Sequence, residues 1–243
     1  MFKQPIETFW LLIFYGFSVL FLVSGFLSIY FENYLLMLFP VGILFFYLSI
    51  NDFKFIYFLL LFTIPLSVEV ALPGGFSTDF PTELLIAGLM ILFFCFVAVK
   101  PKSFDPHFFR NPIIFILFIH YLWILFTTVY SSDAIISIKY SIAKTWYLVT
   151  FVLLTALVIR DVNVFKTAFW YILIPLIFTV IYTLIRHARY DFSFQTVNEQ
   201  MQPFFRNHVN YACTLAQMIP FVILSISWYK RKSKSRRFLI GTL

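Results

Sequence analysis

The sequence predicts an all-α, polytopic transmembrane helical bundle, and three observations lead to that prediction. The chain has 243 residues, of which 61% are hydrophobic and 12% are charged, whereas a typical soluble domain is about 25% charged. Its mean hydropathy is +0.90. Its first apolar run, Phe9 to Phe31, contains no charged residue, and about 20 apolar residues suffice to cross the hydrocarbon core of a bilayer.

Apolar runs predict about eight membrane spans and the start of a ninth. All are expected to be helical, because hydrocarbon offers no hydrogen-bond partner to an unpaired backbone group. The predicted spans are 9–31, 34–50, 55–72, 84–99, 112–130, 142–159, 167–185 and 209–228. A further apolar run begins at Phe238. The first run is too long for the apolar part of a cleaved signal peptide, so we interpret it as a retained span. Residues 1–243 are therefore predicted to form a single transmembrane domain.

Lysine and arginine residues predict the orientation, because cytoplasmic loops of membrane proteins hold the excess of positive charge. A cytoplasmic N-terminus places thirteen of the 18 cations inside, six of them in segment 229–237, and leaves five outside. The five outside cations are Lys139, Lys144, Arg186, Arg189 and Arg206. The net charge of +7 then reflects anchoring beside anionic membrane lipids. We expect lipids, and no nucleic acid, as partners of this charge.

Motifs of soluble enzymes are absent from the sequence, which contains no Gly-rich phosphate loop, HExxH motif or pair of CxxC motifs. Cys95 and Cys213 both lie in apolar runs, where packing is the simplest interpretation of their role. We therefore predict neither a cofactor nor a metal site.

Few ionisable residues lie within or beside the predicted spans, where they are energetically expensive. Glu69 is expected near the outer end of the third span, within reach of water. His120 is expected to be neutral and hydrogen-bonded to a neighbouring helix. The outer loop LPGGFSTDFPTE (72–83) is rich in Gly and Pro, and its Asp79 and Glu83 are predicted to cap the fourth helix.

The outer segment RHARYDFSFQTVNEQMQPFFRNHVNYA (186–212) is the main candidate for a binding site. Arg206 and His208 precede the eighth span, where the positive end of the helix dipole disfavours a cation unless an anion lies nearby. A helix N-terminus beside an arginine is suited to binding phosphate. Asn207 or Asn210 is expected to cap this helix, which explains at least part of their presence without a ligand.

Other outer cations have structural interpretations that compete with ligand binding. Arg186 and Arg189 follow the outer end of the seventh span, where the helix dipole favours cations by roughly 0.3–1 kcal/mol each. Ser132 is predicted to cap a helical turn with Asp133 in its first turn, and this interfacial turn leads into the sixth span. Lys139, in the same segment, adds positive charge to the outer surface.

Two segments resemble the family of O-antigen ligases and O-antigen polymerases. PFFRNHVNYACTLAQMIPFVIL (203–224) resembles the segment that opens the shared core of that family. The matching positions are Arg206, Asn207, Asn210, Ala212, Leu215 and Pro220. WILFTTVYSSDAIISIKYSIAKTWYLVTFVLL (123–154) is similar to an earlier span–loop–span of the family. The glycine and the Pro-Asn pair common in the family's turn are missing, with Val209 before Asn210, so the resemblance is to a divergent branch. It covers most of the chain from about residue 60 onward.

The resemblance implies a multi-pass glycosyltransferase of the bacterial inner membrane. Such enzymes transfer a glycan from undecaprenyl diphosphate, at the periplasmic face, to an acceptor glycolipid or another carrier-linked glycan. The anion expected here is then the diphosphate of the polyprenyl carrier. The candidate residues for binding it are Arg206, Arg189, Arg186, His208, Asn207, Asn210 and Lys139. The resemblance does not distinguish a ligase from a polymerase.

The catalytic residue stays unassigned. The family's catalytic histidine lies on a later periplasmic loop, and neither His187 nor His208 occupies that position. The chain is therefore expected to be the N-terminal part of a longer architecture, incomplete and inactive alone. Two alternatives stay open: a transporter or flippase component for a lipid-linked or anionic solute, and a catalytically silent membrane fragment.

Overall fold

The computed structural model forms two compact units, Met1–Ile56 and Tyr57–Leu243. The residues that the structure describes are 4–37, 39–40, 42–43, 47, 52–72, 76–100, 106–230 and 232–242. Eight of the 17 residues of the predicted span 34–50 lie outside these residues, so the count of eight spans stays a prediction.

A long helix dominates the first unit. Helix α1 (Gln4–Tyr30) is followed by a 3-10 turn, Tyr34–Met37. The Ser24 hydroxyl on α1 donates a hydrogen bond to the Leu36 carbonyl oxygen and so ties the turn back to the helix. Helix α1 confirms the helix predicted for 9–31.

Helices account for most of the rest of the chain. The elements after the 3-10 turn are α2 (Phe53–Thr63), β1 (Val68–Leu72), β2 (Phe76–Phe80), α3 (Thr82–Val99), α4 (Pro106–Arg110), α5 (Pro112–Val129), α6 (Ala134–Val158), α7 (Val162–Ala188), α8 (Val197–Met201), α9 (His208–Ile226) and α10 (Lys234–Gly241). Within the described residues, six helices are long and apolar enough to cross a membrane: α1, α3, α5, α6, α7 and α9. Most of their large apolar side chains are exposed, as expected for helices whose surroundings are lipid.

The predicted third span, 55–72, is wrong in its second half. Helix α2 ends at Thr63, and after a short 3-10 turn the chain forms an antiparallel β-hairpin in which Glu69 lies opposite Asp79. Pro65 has no N–H to donate to a helical carbonyl oxygen, and the alternating Val-Glu-Val sequence of β1 is typical of a strand. The all-α prediction therefore describes the long helices but lacked this hairpin.

The predicted sixth span, 142–159, begins earlier in the structure than the sequence indicated. Helix α6 starts at Ala134, and its N-cap is Asp133, not Ser132: the Asp133 carboxylate accepts a hydrogen bond of 3.1 Å from the Ile136 N–H. The segment that was predicted to form an interfacial turn is therefore the N-terminal part of the helix itself.

Two pairs of hydroxyl groups join the N-terminal part of α6 to α5. Tyr121 and Thr145 are hydrogen-bonded at 2.6 Å, and Thr128 and Ser141 are also 2.6 Å apart. These bonds satisfy polar groups that would otherwise face hydrocarbon. They allow α6 to continue through a polar sequence that resembles a loop.

A π-helical segment, Val149–Leu154, divides α6 into an N-terminal and a C-terminal part. Within it, the buried Thr150 hydroxyl donates to the Ile86 carbonyl oxygen of α3 at 3.4 Å. Just beyond it, the Thr155 hydroxyl is 2.7 Å from the Tyr57 hydroxyl of α2. Helix α6 is therefore hydrogen-bonded to α5 through its N-terminal part, and to α3 and α2 through the π-helical segment and the residues after it.

Two apolar clusters hold α7, α9 and the segments around them together. The first cluster contains Phe169, Leu173, Val222 and Leu239. The second contains Leu176, Met201 and Phe205. Through Leu239, α10 packs against α7 and α9. A helix is therefore present at the further apolar run, whose interpretation as the start of a ninth span stays a prediction. The second cluster fixes the polar segment between α7 and α9 onto α7.

Candidate functional site

An open cavity of about 900 Å³ lies between the β-hairpin, α7, α9 and the segment that precedes α9. Its polar lining residues include Glu69, Asp79, Gln202, Arg206, Asn210, Thr214 and Gln217. Its apolar lining residues include Ile64, Ile172, Leu176, Phe204 and Met218. The cavity therefore combines a charged part with an apolar part.

The two parts of the cavity are separated along α9. Asn210, Thr214, Gln217 and Met218 line the cavity at helical spacing, and a rise of 1.5 Å per residue places Met218 about 12 Å further along the helix than Asn210. Met218 also packs against the buried cluster that contains Leu176 of α7. The charged residues thus lie at the start of α9, and the apolar wall lies deeper between α7 and α9.

Arg206 binds a carboxylate of the hairpin at the charged end of the cavity. Its Nε–H donates to Glu69 Oε2 at 2.9 Å, and an Nη2–H donates to Glu69 Oε1, although the two residues are 137 positions apart. Both side chains can reach ligand, since 66% of Arg206 and 37% of Glu69 is exposed. The hydrogen bond from Arg206, with a weaker one from Ser77, lowers the pKa of Glu69. The same pairing raises the pKa of Arg206.

Asp79 adds a second carboxylate to this end of the cavity. It lies opposite Glu69 in the hairpin, so both side chains project from the same face of the ladder. Burial is the main cause that raises the pKa of Asp79, followed by the negative charges of Glu83 and Glu69. The prediction that Asp79 caps a helix is wrong, because it lies in β2. Glu83 does lie in the first turn of α3, but its carboxylate accepts a 2.7 Å hydrogen bond from Thr78 and is not a cap.

The prediction that an asparagine caps α9 is confirmed for Asn207. Its Oδ1 accepts a hydrogen bond of 2.9 Å from the Asn210 N–H. His208 follows in the first turn, and its N–H and Nδ1 both lie within hydrogen-bond distance of Asn198 Oδ1, at 3.1 and 2.7 Å. Asn207 and His208 therefore fix the start of α9, and Asn210 presents its side chain to the cavity.

Arg186 holds the segment between α7 and α9 in place. Its guanidinium donates to the carbonyl oxygens of Gln202 and Glu199, the latter at 3.4 Å, and lies over the Tyr182 ring. Arg189 ends α7 with an exposed side chain, and Lys139 is exposed in the second turn of α6.

Of the seven binding residues predicted from the sequence, the structure brings Arg206 and Asn210 to the cavity. The other five lie outside its lining among the described residues.

Glu69 and Asp79 are the cavity residues that sequence reasoning did not connect to Arg206. Glu69 was expected in a helix near water, and its partner was not foreseen. A usable signal was present: two strand-like stretches, VEVAL and FSTDF, flank the Pro-Gly-Gly of residues 73–75, which is typical of a hairpin. Recognising the hairpin would have placed both carboxylates on one face.

The fold and the cavity define the chain as a helical, multi-pass membrane protein with an amphipathic cavity. Among the residues that the structure describes, no group of three or more His, Cys, Asp and Glu side chains could hold a metal ion. Comparison of the chain with protein-family models, with curated proteins and with solved structures found no significant match. A function must therefore be inferred from the chemistry of the cavity.

Proposed function

We propose that the chain is an O-antigen ligase-like or polymerase-like protein of the bacterial inner membrane. In this proposal it binds an undecaprenyl-diphosphate-linked glycan from the periplasmic side, for transfer to an acceptor glycolipid or glycan. The single observation that carries the proposal is the position of Arg206, an exposed guanidinium at the charged end of an amphipathic cavity. The resemblance of segment 203–224 to the family adds support, because it includes this arginine.

The charged end of the cavity suits the diphosphate. A guanidinium presents paired N–H donors whose geometry matches two phosphate oxygens. Asn210 and Gln202 line the same cavity and carry amide donors for further oxygens. The N-terminus of α9, which begins at His208, adds the positive end of a helix dipole. An anion that replaces Glu69 at Arg206 therefore meets several donors.

The apolar part of the cavity suits the first units of a polyprenyl chain. Ile172, Leu176 and Met218 form apolar wall between α7 and α9. A volume of about 900 Å³ is at the upper end of the range of about 300–1,000 Å³ typical of small-molecule sites. It accommodates a headgroup with a short length of chain, and the rest of the polyprenyl extends into lipid.

Binding at Arg206 would also favour glycan transfer. When an acceptor hydroxyl attacks the anomeric carbon, negative charge develops on the leaving diphosphate, and a fixed guanidinium stabilises that charge. No residue of the cavity is assigned as the base, so binding of the carrier is the activity that these residues support most directly. Ligase and polymerase differ in the acceptor and share this step.

Binding of two matched lipids tests the proposal. Purified protein in phosphatidylcholine nanodiscs is titrated with undecaprenyl diphosphate and with undecaprenol, which has the same tail and no charge. We expect the diphosphate to bind more tightly, and Arg206→Ala to weaken its binding by about ten- to a hundredfold, as for the loss of a charged hydrogen bond. Arg189→Ala, which removes an exposed cation outside the cavity lining, is the matched control. Equal affinity of Arg206→Ala and wild type for the diphosphate would refute the proposal.

One observation favours the second candidate, a transporter or flippase component. Pro175 lies within α7 and Pro220 within α9, on the two helices that flank the cavity, and transporters often bind substrate at interrupted helices. Both helices nevertheless continue through their proline. Movement of a labelled polyprenyl phosphate across proteoliposomes that contain the protein would support this candidate over the first.

A further inference from the structure

The guanidinium of Arg206 is already occupied by a partner from the protein itself. Glu69 accepts two of its hydrogen bonds, from Nε and Nη2. Any anionic ligand that uses the same edge of the guanidinium must displace this carboxylate. Both side chains of the ion pair are exposed, so a ligand can reach the pair without any change in the fold.

Membranes present a problem for a site of this kind. Phospholipids with one negative charge are abundant at membrane surfaces, and an open cavity with an apolar wall and a free arginine would bind them. The apparent affinity of a ligand falls by the fraction of protein in which its binding group is free. An internal carboxylate therefore lowers the apparent affinity of every anion for Arg206 by the same factor. A weakly binding anion then occupies only a small fraction of the sites, whereas a tightly binding anion still fills them.

We propose that Glu69 is an internal competitor for Arg206, which keeps lipids with a single negative charge out of the cavity and admits a polyprenyl diphosphate. The inference rests on the proposed function, and it explains how the same site excludes the abundant phospholipids with a single negative charge. A diphosphate has more charge and more acceptor oxygens than a phosphodiester, so its contacts with a guanidinium exceed those of a carboxylate. A phosphodiester carries the same charge as Glu69 and gains little by displacing it.

The hairpin gives Glu69 its advantage as a competitor. The carboxylate is carried on β1, whose residues are paired with β2 from Val68–Phe80 to Leu72–Phe76, so it stays beside Arg206 at a high effective concentration. Asp79 lies directly opposite Glu69, and like charges in this position repel each other. Arg206 relieves that repulsion while it is bound to Glu69, which makes its release to a weak ligand less favourable.

The test compares wild type with Glu69→Gln in nanodiscs with and without phosphatidylglycerol. In neutral nanodiscs we expect Glu69→Gln to bind undecaprenyl diphosphate about two- to fivefold more tightly than wild type, a factor typical of exposed ion pairs. In nanodiscs with phosphatidylglycerol, we expect this advantage to shrink, because the monoanionic lipid competes for the unpaired Arg206 of Glu69→Gln. The lipid should weaken diphosphate binding by wild type by a smaller factor than binding by Glu69→Gln. Arg206→Ala combined with Glu69→Gln should show neither effect.

Two further variants keep the result interpretable. Glu83→Gln removes a neighbouring carboxylate that accepts from Thr78, and it should respond to phosphatidylglycerol as wild type does. Glu69→Asp keeps the charge on a shorter side chain and should be intermediate, which provides a second reading if Glu69→Gln folds poorly.

The outcomes separate the two proposals. If Arg206→Ala binds undecaprenyl diphosphate as wild type does, the proposed function fails. If Arg206→Ala binds weakly, but the affinities of Glu69→Gln and wild type respond equally to phosphatidylglycerol, only the competitor role of Glu69 is overturned.

Discussion

Asn207 offers a sharp test of how the site is built, because the sequence predicted it both as a helix cap and as a ligand contact. Its Oδ1 accepts from the Asn210 N–H at 2.9 Å, and Asn210 lines the cavity. Replacing an N-cap asparagine by alanine typically costs about 1 kcal/mol. We therefore expect Asn207→Ala to lower the free energy needed to open the first turn of α9 by about this amount.

Hydrogen exchange at the Asn210 amide measures the effect directly, because that N–H is the group the cap satisfies. A loss of about 1 kcal/mol corresponds to an opening about fivefold more frequent. Asn207→Ser is the matched variant, since serine caps helices as well as asparagine does and carries no amide that could contact a ligand. We expect it to retain both the protection of Asn210 and the binding of undecaprenyl diphosphate.

Two results would refute this reasoning. Equal exchange at Asn210 in Asn207→Ala and wild type would show that the cap is not what holds this turn. Weak diphosphate binding by Asn207→Ser, with normal protection of Asn210, would show that the asparagine amide contacts the ligand itself.

Three further predictions concern stability and topology. The pKa of Glu69 lies below its ordinary value of 4.5, and protonating this carboxylate removes its ion pair with Arg206. The stability that the pair contributes should therefore be fully present above pH 4.5 and be lost as the pH falls through the lowered pKa. Unfolding measured from pH 7 to pH 3 tests this. Thr128→Val should cost roughly 0.6 kcal/mol in a detergent-unfolding titration, the mean for hydrogen bonds between membrane helices, and the double variant with Ser141→Ala should add little. Cysteines at Gln195 and Ser233, in a variant without native cysteines, should react from the periplasm and only after permeabilisation, respectively.

Long apolar helices were predictable because length and hydropathy alone determine whether a segment can span a bilayer. The helices expected over 84–99, 112–130, 167–185 and 209–228 are therefore present, although α7 is longer than its apolar run. The cap of α9 was also predictable, since it involves an asparagine and an N–H only three residues apart. Local chemistry was sufficient in each of these cases.

Contacts between distant segments were not predictable in the same way. The bond between Arg206 and Glu69 joins positions 137 residues apart. It depends on the β-hairpin, whose first strand was predicted as the end of a span because its sequence is largely apolar. Ser141 lay in the segment that was predicted to form an interfacial turn, but α5 supplies hydrogen-bond partners for Ser141 and for Thr145. Arg186 was expected either to be favoured by the helix dipole at the end of its span or to bind a ligand, and the structure shows that it donates to backbone carbonyl groups. Each error arose where a partner from elsewhere in the chain changed what a local pattern meant.

The π-helical turn in α6 determines which hydroxyl residues lie on the same face along the length of that helix. Ser141 and Thr145 are four residues apart, as an α-helix requires for a common face, whereas Thr145, Thr150 and Thr155 follow at intervals of five. The wider turn at Val149–Leu154 matches that longer interval, since its backbone bonds join residues five apart. Deleting one residue there would restore the ordinary pitch and rotate everything beyond it by about 100°. Thr155 would then turn away from Tyr57. The extra residue of the π-helical turn therefore acts as a spacer that lets one continuous helix form hydrogen bonds with α5, α3 and α2 along its length.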